Sequence, residues 1–264
     1  MDPIKILESL EPVFMEGARL GAKMQSTAKH HNKTNTGMAV TDIVTEGDLA
    51  VQEFVLKEVA KTDLINCHML AEEDTPTAKV FKGQNSFYIG LDPIDGTSIY
   101  ARGGKQFSII VTLHDDKNLL LSYKYFPVLD WTQKIVGESY ITKGQEPQFL
   151  LETDPKNKIF YYKGNPEEKF PEVYKELVGK GIVFENCADS VADVDESAIY
   201  LSGKAAGYYC EDPNAYDSLV PLHFAITKGK RHYVGGPNGT IDLTKVQKRT
   251  SGLYYSGYYL ALND

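Results

Sequence analysis

The sequence predicts a mixed α/β protein in two halves, an α+β half followed by an α/β half. Three observations predict it. Up to about residue 137, helical patterns give way to apolar alternations joined by tight turns, the order of an α+β unit. From about residue 159 onward, short apolar runs alternate with helical ones, the order of an α/β unit. Between them, the stretch from Lys143-Gly144-Gln145-Glu146-Pro147 to Asp154-Pro155-Lys156-Asn157 is polar and turn-rich, which sets the boundary near 150 and gives halves 1–150 and 151–264.

Each element has its own signal. Ile4, Leu7, Leu10, Phe14, Ala18 and Gly21 fall at three-to-four spacing and predict one amphipathic helix over 4–28. The segment His30-His31-Asn32-Lys33-Thr34-Asn35-Thr36-Gly37 reads as a loop. Its adjacent histidines rarely point at one ion, and Mg²⁺ prefers oxygen ligands. Val40 to Thr45 reads as extended, and Asp48 opens a helix running to about Lys61. The segment His68–Asp74 is an apolar strand that runs straight into Glu72, Glu73 and Asp74. Phe107–Leu113 and Leu119–Phe126 form a hairpin about Asp115-Asp116-Lys117-Asn118, and a further turn and strand follow around Trp131 and Gly137. In the second half, strands are expected at Ile159–Tyr162, Ile182–Phe184 and Ala205–Cys210, and helices at Pro166–Gly179, Val194–Ser202 and Ser218–Lys228. Ser202–Gly207 and Gly235–Thr240 read as turns; the first lacks the spacing of a nucleotide phosphate loop.

Composition narrows the function. With 42% hydrophobic and 24% charged residues, the 264-residue chain is an ordinary globular protein able to bury a sizeable core. No apolar run approaches the roughly 18 residues of a membrane span, so no membrane partner is expected. Net charge of −8 argues against a nucleic-acid polymer as partner, because a phosphate backbone requires a basic face. A small phosphorylated substrate is compatible with that charge if acidic residues gather around divalent cations, which reverse the local field. Met1-Asp2-Pro3-Ile4-Lys5 has no signal-peptide pattern, and three cysteines without CxxC spacing (Cys67, Cys187, Cys210) fit reduced thiols, so a cytoplasmic protein is expected.

The chemistry concentrates in Leu91-Asp92-Pro93-Ile94-Asp95-Gly96-Thr97. A short buried strand, Tyr88–Leu91, delivers Asp92 and Asp95 to its C-terminal end. Pro93 fixes one φ between them and Gly96 permits the turn that follows. The amides of Gly96, Thr97 and Ser98 then form an anion cradle. Two hard oxygen ligands beside an anion cradle suit Mg²⁺ and phosphate together.

These residues resemble the first signature of the inositol monophosphatase family of Mg²⁺-dependent, lithium-sensitive phosphomonoesterases. Other elements of that pattern appear in order: Asp42-Ile-Val-Thr-Glu-Gly-Asp48, Glu72-Glu73, and Tyr216-Asp217 where the family has Trp-Asp. The resemblance, over about residues 5–245, implies a five-layered α-β-α-β-α sandwich, often a homodimer, and hydrolysis with two or three Mg²⁺ ions. By the family pattern Glu72, Asp92 and the Ile94 carbonyl hold one ion, and Asp92, Asp95 and Asp217 a second. Glu72 and Thr97, the latter oriented by Asp48, position the attacking water. Asp48 and Asp217 also have plain readings as helix caps. Gly96, Thr97 and Ser98, with Asp95, contact the phosphate, and Lys33 takes the place of the family's loop lysine. Several positions depart from the pattern. Ala71 replaces a glycine, Ser98-Ile99 stands where bisphosphate nucleotidases have Lys-Glu, and Leu219-Val220-Pro221 replaces small residues. Cys210, with Glu211 beside it, occupies the place of a glutamate that binds sugar hydroxyls in inositol-specific members, and by that resemblance both are expected to contact the substrate. The resemblance implies inositol monophosphate as the first expected substrate, ahead of fructose 1,6-bisphosphate or a 3′-phosphorylated nucleotide, and the Cys210 departure argues against strict inositol specificity. A catalytically weak sensor or scaffold is the alternative of another class.

Overall fold

Asp2 accepts the Ile4 amide at 3.0 Å and starts α1 (Pro3–Ser9), with Pro3 at the position where a missing N–H costs nothing. The computed structural model describes residues 2–32, 43–149, 153–188 and 193–264. The single helix expected over 4–28 is two, because Leu10 leaves the helical region before α2 (Glu11–Met24). The cause is Pro12, whose ring would clash with the carbonyl four residues back if the helix ran through. His30–Asn32, expected as loop, forms β1 and pairs antiparallel with β2 (Ile43–Thr45). Lys33 and Asp42 lie outside the described residues. The next helix, α3 (Glu46–Val59), begins two residues ahead of Asp48 because Thr45 is its N-cap.

The first sheet contains β3 (His68–Ala71), β4 (Tyr88–Asp95), β5 (Ser108–His114), β6 (Leu119–Phe126), β7 (Trp131–Val136) and β8 (Ser139–Lys143), in that spatial order. A short helix, α4 (Thr97–Ala101), follows β4. β3 runs parallel to β4 and every later neighbour is antiparallel. The second half supplies β9 (Lys158–Tyr161), α5 (Pro166–Lys169), α6 (Pro171–Gly179), β10 (Val183–Asn186), α7 (Glu196–Leu201), β11 (Gly207–Glu211) and α8 (Val220–Thr227). The helix expected over 166–179 is again split by a proline, Pro171, with Phe170 outside the helical region before it. Besides β1 and β8, the strands not expected from the sequence are those near the C-terminus: β12 (His232–Gly235), β13 (Val246–Arg249), β14 (Gly252–Tyr255) and β15 (Tyr258–Leu262). β15 is central, since the second sheet has the order β10-β9-β11-β15-β12. The continuous apolar run Tyr258-Tyr259-Leu260-Ala261-Leu262, buried on both faces, was its available signal.

These elements stack in five layers, α-β-α-β-α. On one side of the first sheet, Phe14, Val51 and Val55 of α2 and α3 pack against Leu91, Ile109 and Tyr123. Between the sheets, Ile199 and Tyr200 of α7 and Leu222 and Phe224 of α8 join Ile110 and Ile135 to Phe160 and Tyr259. Leu177 of α6 covers Tyr209, Leu260 and Leu262 on the outer face of the second sheet. Each such large apolar side chain contributes about 1.5–3 kcal/mol on burial. Among the described residues, no helix is long and apolar enough to cross a membrane.

α8 carries one buried histidine into the middle layer. His223 is 3% exposed and its Nδ1 lies 2.9 Å from Ser122 Oγ of β6. Burial lowers it from 6.5 to about 4. A depressed pKa means stability that is present above pH 6.5 and is lost as pH falls through 4, here roughly 3 kcal/mol. Buried acids with raised pKa values, Asp48, Asp95 and Glu196 among them, act in the opposite direction over this range, so the comparison is between wild type and H223N. In urea unfolding, the stability of wild type relative to H223N should be lower at pH 4.5 than at pH 7.

Candidate active site

The site forms where β3 and β4 end together. In a regular strand, residues three apart point to opposite faces. Asp92 pairs with Ile110 and Asp95 with Ser108, so β4 holds one more residue than β5 across this interval. The resulting bulge resets the pleat and turns both aspartates to the same cavity, and it also accommodates Pro93 inside a strand. Asp92 Oδ1 accepts the Ile94 amide at 3.0 Å, which fixes its rotamer. Next door, the Glu72 amide donates to the Leu91 carbonyl at 3.0 Å, extending β3 just far enough to set Glu72 beside Asp92. Gly96 adopts φ +83°, a conformation that favours glycine, and opens α4 so that Gly96, Thr97 and Ser98 line the same cavity.

The fourth acid arrives from the other half. Gly90 of β4 lies against the backbone of Tyr216, whose carbonyl accepts the Thr112 hydroxyl at 3.3 Å. That contact sets Asp217 opposite Asp92 and Asp95. Carboxylate oxygens of the three lie within 4.8 Å of one another. Asp217 does not cap a helix: α8 starts at Val220 with Leu219 before it, and the Asp217 carboxylate instead accepts Ser218 Oγ at 2.6 Å. The larger Leu219-Val220-Pro221 is buried in the middle layer.

Electrostatics show what such a cluster requires. Asp92 is 4% exposed, and burial first, then the charges of Glu72, Asp95 and Asp217, hold its carboxyl well above the usual range. Burial also raises Asp217. Asp95 is pushed up to about 7, by burial and against the pull of Lys124. Without a cation these acids hold protons more readily than free carboxyls, since like charges so close cannot all ionise. A hard divalent ion with oxygen preference fits the donor set.

Asp48 and Thr97 meet as expected, with a double role for Asp48. Its Oδ2 accepts the Thr45 amide at 2.8 Å and the Thr45 hydroxyl at 2.5 Å, a capping box at the start of α3. Its Oδ1 faces the Thr97 hydroxyl at 3.5 Å, while that hydroxyl donates to the Ile94 carbonyl at 3.0 Å. Burial raises Asp48 to about 6. Cys210 lines the cavity, but Glu211 does not. Successive residues of β11 alternate faces, and the Glu211 carboxylate turns to Lys169 (3.2 Å) and the Tyr209 hydroxyl (2.9 Å). The expectation that Glu211 contacts substrate is corrected accordingly.

The sequence reading missed several cavity residues. Lys163 lies 4.4 Å from the centre of the Tyr254 ring, with burial lowering its pKa. Tyr162 bonds Glu196, which burial raises to about 7. Asp195 also lines the cavity, and Lys124, buried behind its wall, pairs with both Asp195 and Asp95. A lysine in the otherwise apolar Leu119-Leu-Leu-Ser-Tyr-Lys-Tyr-Phe126 was a visible signal.

Comparison with known proteins agrees with this geometry. A Dictyostelium discoideum inositol monophosphatase is 32% identical over 89 residues, 34% of this chain; the match spans about a third (32%) of that relative's length. A staphylococcal IMPase-I solved with its products shares the fold at TM-score 0.66 and 16% identity, over 99% of this chain and 92% of that one. So does an IMPase/NADP phosphatase solved with Mg²⁺ and phosphate, with the same TM-score, identity and coverage. The sequence profile of the inositol monophosphatase family matches residues 7–217, a span that runs from α1 through every acid of the cavity to Asp217. By that match over most of its length, the chain belongs to the inositol monophosphatase family.

Proposed function

We propose that this protein is a Mg²⁺-dependent phosphomonoesterase acting on a small phosphorylated metabolite, with inositol monophosphate the first substrate to test. The observation that carries the reading is the convergence of Asp92, Asp95 and Asp217 within 4.8 Å, beside the opening turn of α4. Glu72, Asp92 and the Ile94 carbonyl would hold one ion, and Asp92, Asp95 and Asp217 another. When bound, Mg²⁺ supplies Lewis acidity for the phosphoryl group and makes water a competent nucleophile at neutral pH. Glu72 then takes the proton of the attacking water, and Thr97, aligned by Asp48, holds that water in line. The amides of Gly96, Thr97 and Ser98 bind phosphate oxygens where charge develops. The Cys210, Tyr162, Lys163 and Tyr254 side of the cavity receives the alcohol part of the substrate. With Cys210 in place of an acid, this side suits sugar hydroxyls less strictly, which keeps fructose 1,6-bisphosphate and 3′-phosphorylated nucleotides as the next candidates.

The test is phosphate release from a panel of phosphomonoesters with Mg²⁺, with chelator, and with added Li⁺. Chelation should reduce release by about 10²-fold or more, and Li⁺ should suppress the Mg²⁺-supported rate. Undiminished release in chelator would sink the metal reading. Silence across the panel with Mg²⁺ still binding would point instead to a metabolite sensor.

A further inference from the structure

The acidic cluster is bordered by a resident cation that the proposed chemistry does not use. Lys124, in the middle of β6, has a side chain 1% exposed. Its Nζ donates to Asp95 Oδ2 at 2.8 Å and to Ser197 Oγ at 2.8 Å, and it is in ion-pair contact with Asp195. An ammonium has three protons, and three acceptors surround this one. The arrangement is held from behind. Ser197 donates to Asp195 Oδ1 at 2.7 Å, and Asp195 is anchored as the N-cap of α7 by the Ala198 amide at 2.9 Å. Burial disfavours the ammonium, but Asp195 and Asp95 more than offset this, and the group stays charged. Asp95 Oδ2 is thus engaged twice, by Lys124 and by Ser108 Oγ at 3.2 Å.

Asp95 is one of the three acids that converge on the cavity, so whatever occupies its oxygens competes with an ion there. We propose that Lys124 is a positioning residue that weakens the divalent-ion site formed by Asp92, Asp95 and Asp217, so that this site fills only when phosphate adds its negative charge. Two effects act in the same direction. The ammonium takes one oxygen of Asp95 out of the ligand set, and its charge opposes a second cation nearby. A bound phosphate reverses the balance by attracting both cations, and metal and phosphate then strengthen each other reciprocally. The inference rests on the metal-phosphatase reading above.

The test is Mn²⁺ binding, as the probe ion, by equilibrium dialysis with and without inorganic phosphate. The wild-type chain should bind one ion readily and a second only with phosphate. K124M should bind the second ion about tenfold more tightly without phosphate, a change equal to about 1.4 kcal/mol. K124M leaves Asp195 buried without its cation, so K124M/D195N is measured alongside. That double variant has the formal charge of the wild type, and it should still tighten the second ion by about threefold, since it frees the Asp95 oxygen. A merely structural lysine would leave affinity unchanged or lower it, and either result in a variant with wild-type circular dichroism overturns the inference. If the wild-type chain binds no Mn²⁺ at all, the metal reading itself fails, an outcome distinct from unchanged binding in the variants.

Discussion

Replacing Asp92 with asparagine is expected to abolish phosphatase activity while making the metal-free protein more stable. Asp92 is the acid common to both proposed ion sites, so its loss removes a shared ligand, and kcat should fall by about 10³-fold or more. Stability moves the other way. The carboxyl is buried among Glu72, Asp95 and Asp217, and its pKa lies well above the ordinary value. An acid whose folded pKa is raised loses stability as pH climbs above its unfolded value, because ionisation is disfavoured only in the folded state. Asparagine cannot ionise. Metal-free D92N should therefore melt above metal-free wild type at pH 8, and the gap should close as pH falls toward 4. Melting in excess chelator, with phosphate release in Mg²⁺, checks both halves. A D92N chain that keeps wild-type turnover, or that melts below wild type at pH 8, contradicts the assignment of Asp92 as a buried ligand.

Gly90→Ala should damage the same site from a distance. A Cβ at Gly90 would meet Thr112 Oγ1 at 2.2 Å and the Tyr216 Cα and carbonyl oxygen at 2.8 Å. The threonine side chain can rotate away; the Tyr216 backbone has to shift. Overpacking of this kind costs about 1–3 kcal/mol. The functional consequence is larger, because Asp217 follows Tyr216 directly and would be displaced from Asp92 and Asp95. Mg²⁺ affinity should fall by about 10–100-fold, the scale seen when the supports of a metal ligand are removed. Calorimetric titration of Mg²⁺ into folded G90A measures this, and wild-type affinity there would show that Gly90 does not position Asp217.

Legibility differed between the two halves for a physical reason. β4 to β7 were readable because their turns and apolar alternation are local, and α3 because a cap and its helix are sequence neighbours. The two helix breaks at Pro12 and Pro171 were equally local, yet the apolar spacing on either side hid them: the same face continues after the break. The C-terminal strands were not read because β15 derives its place from β11 and β12, partners about 50 and 25 residues away. Glu211 was misplaced by adjacency in sequence to Cys210, when alternation along a strand sends the two side chains to opposite faces.

By itself the sequence determined the kinds of ligand available, hard carboxylates next to a glycine-led turn, and the order in which the chain presents them. Only the tertiary structure decided which acids share one cavity. The bulge that turns Asp95 to the side of Asp92 depends on pairing with β5, and the approach of Asp217 depends on Gly90 admitting the Tyr216 backbone. The pairing of Lys124 with Asp95 and Asp195 likewise joins β6, β4 and the start of α7. Charges separated by tens of residues interact strongly only once folding removes the water between them, and that removal is a property of the packed layers rather than of any one segment.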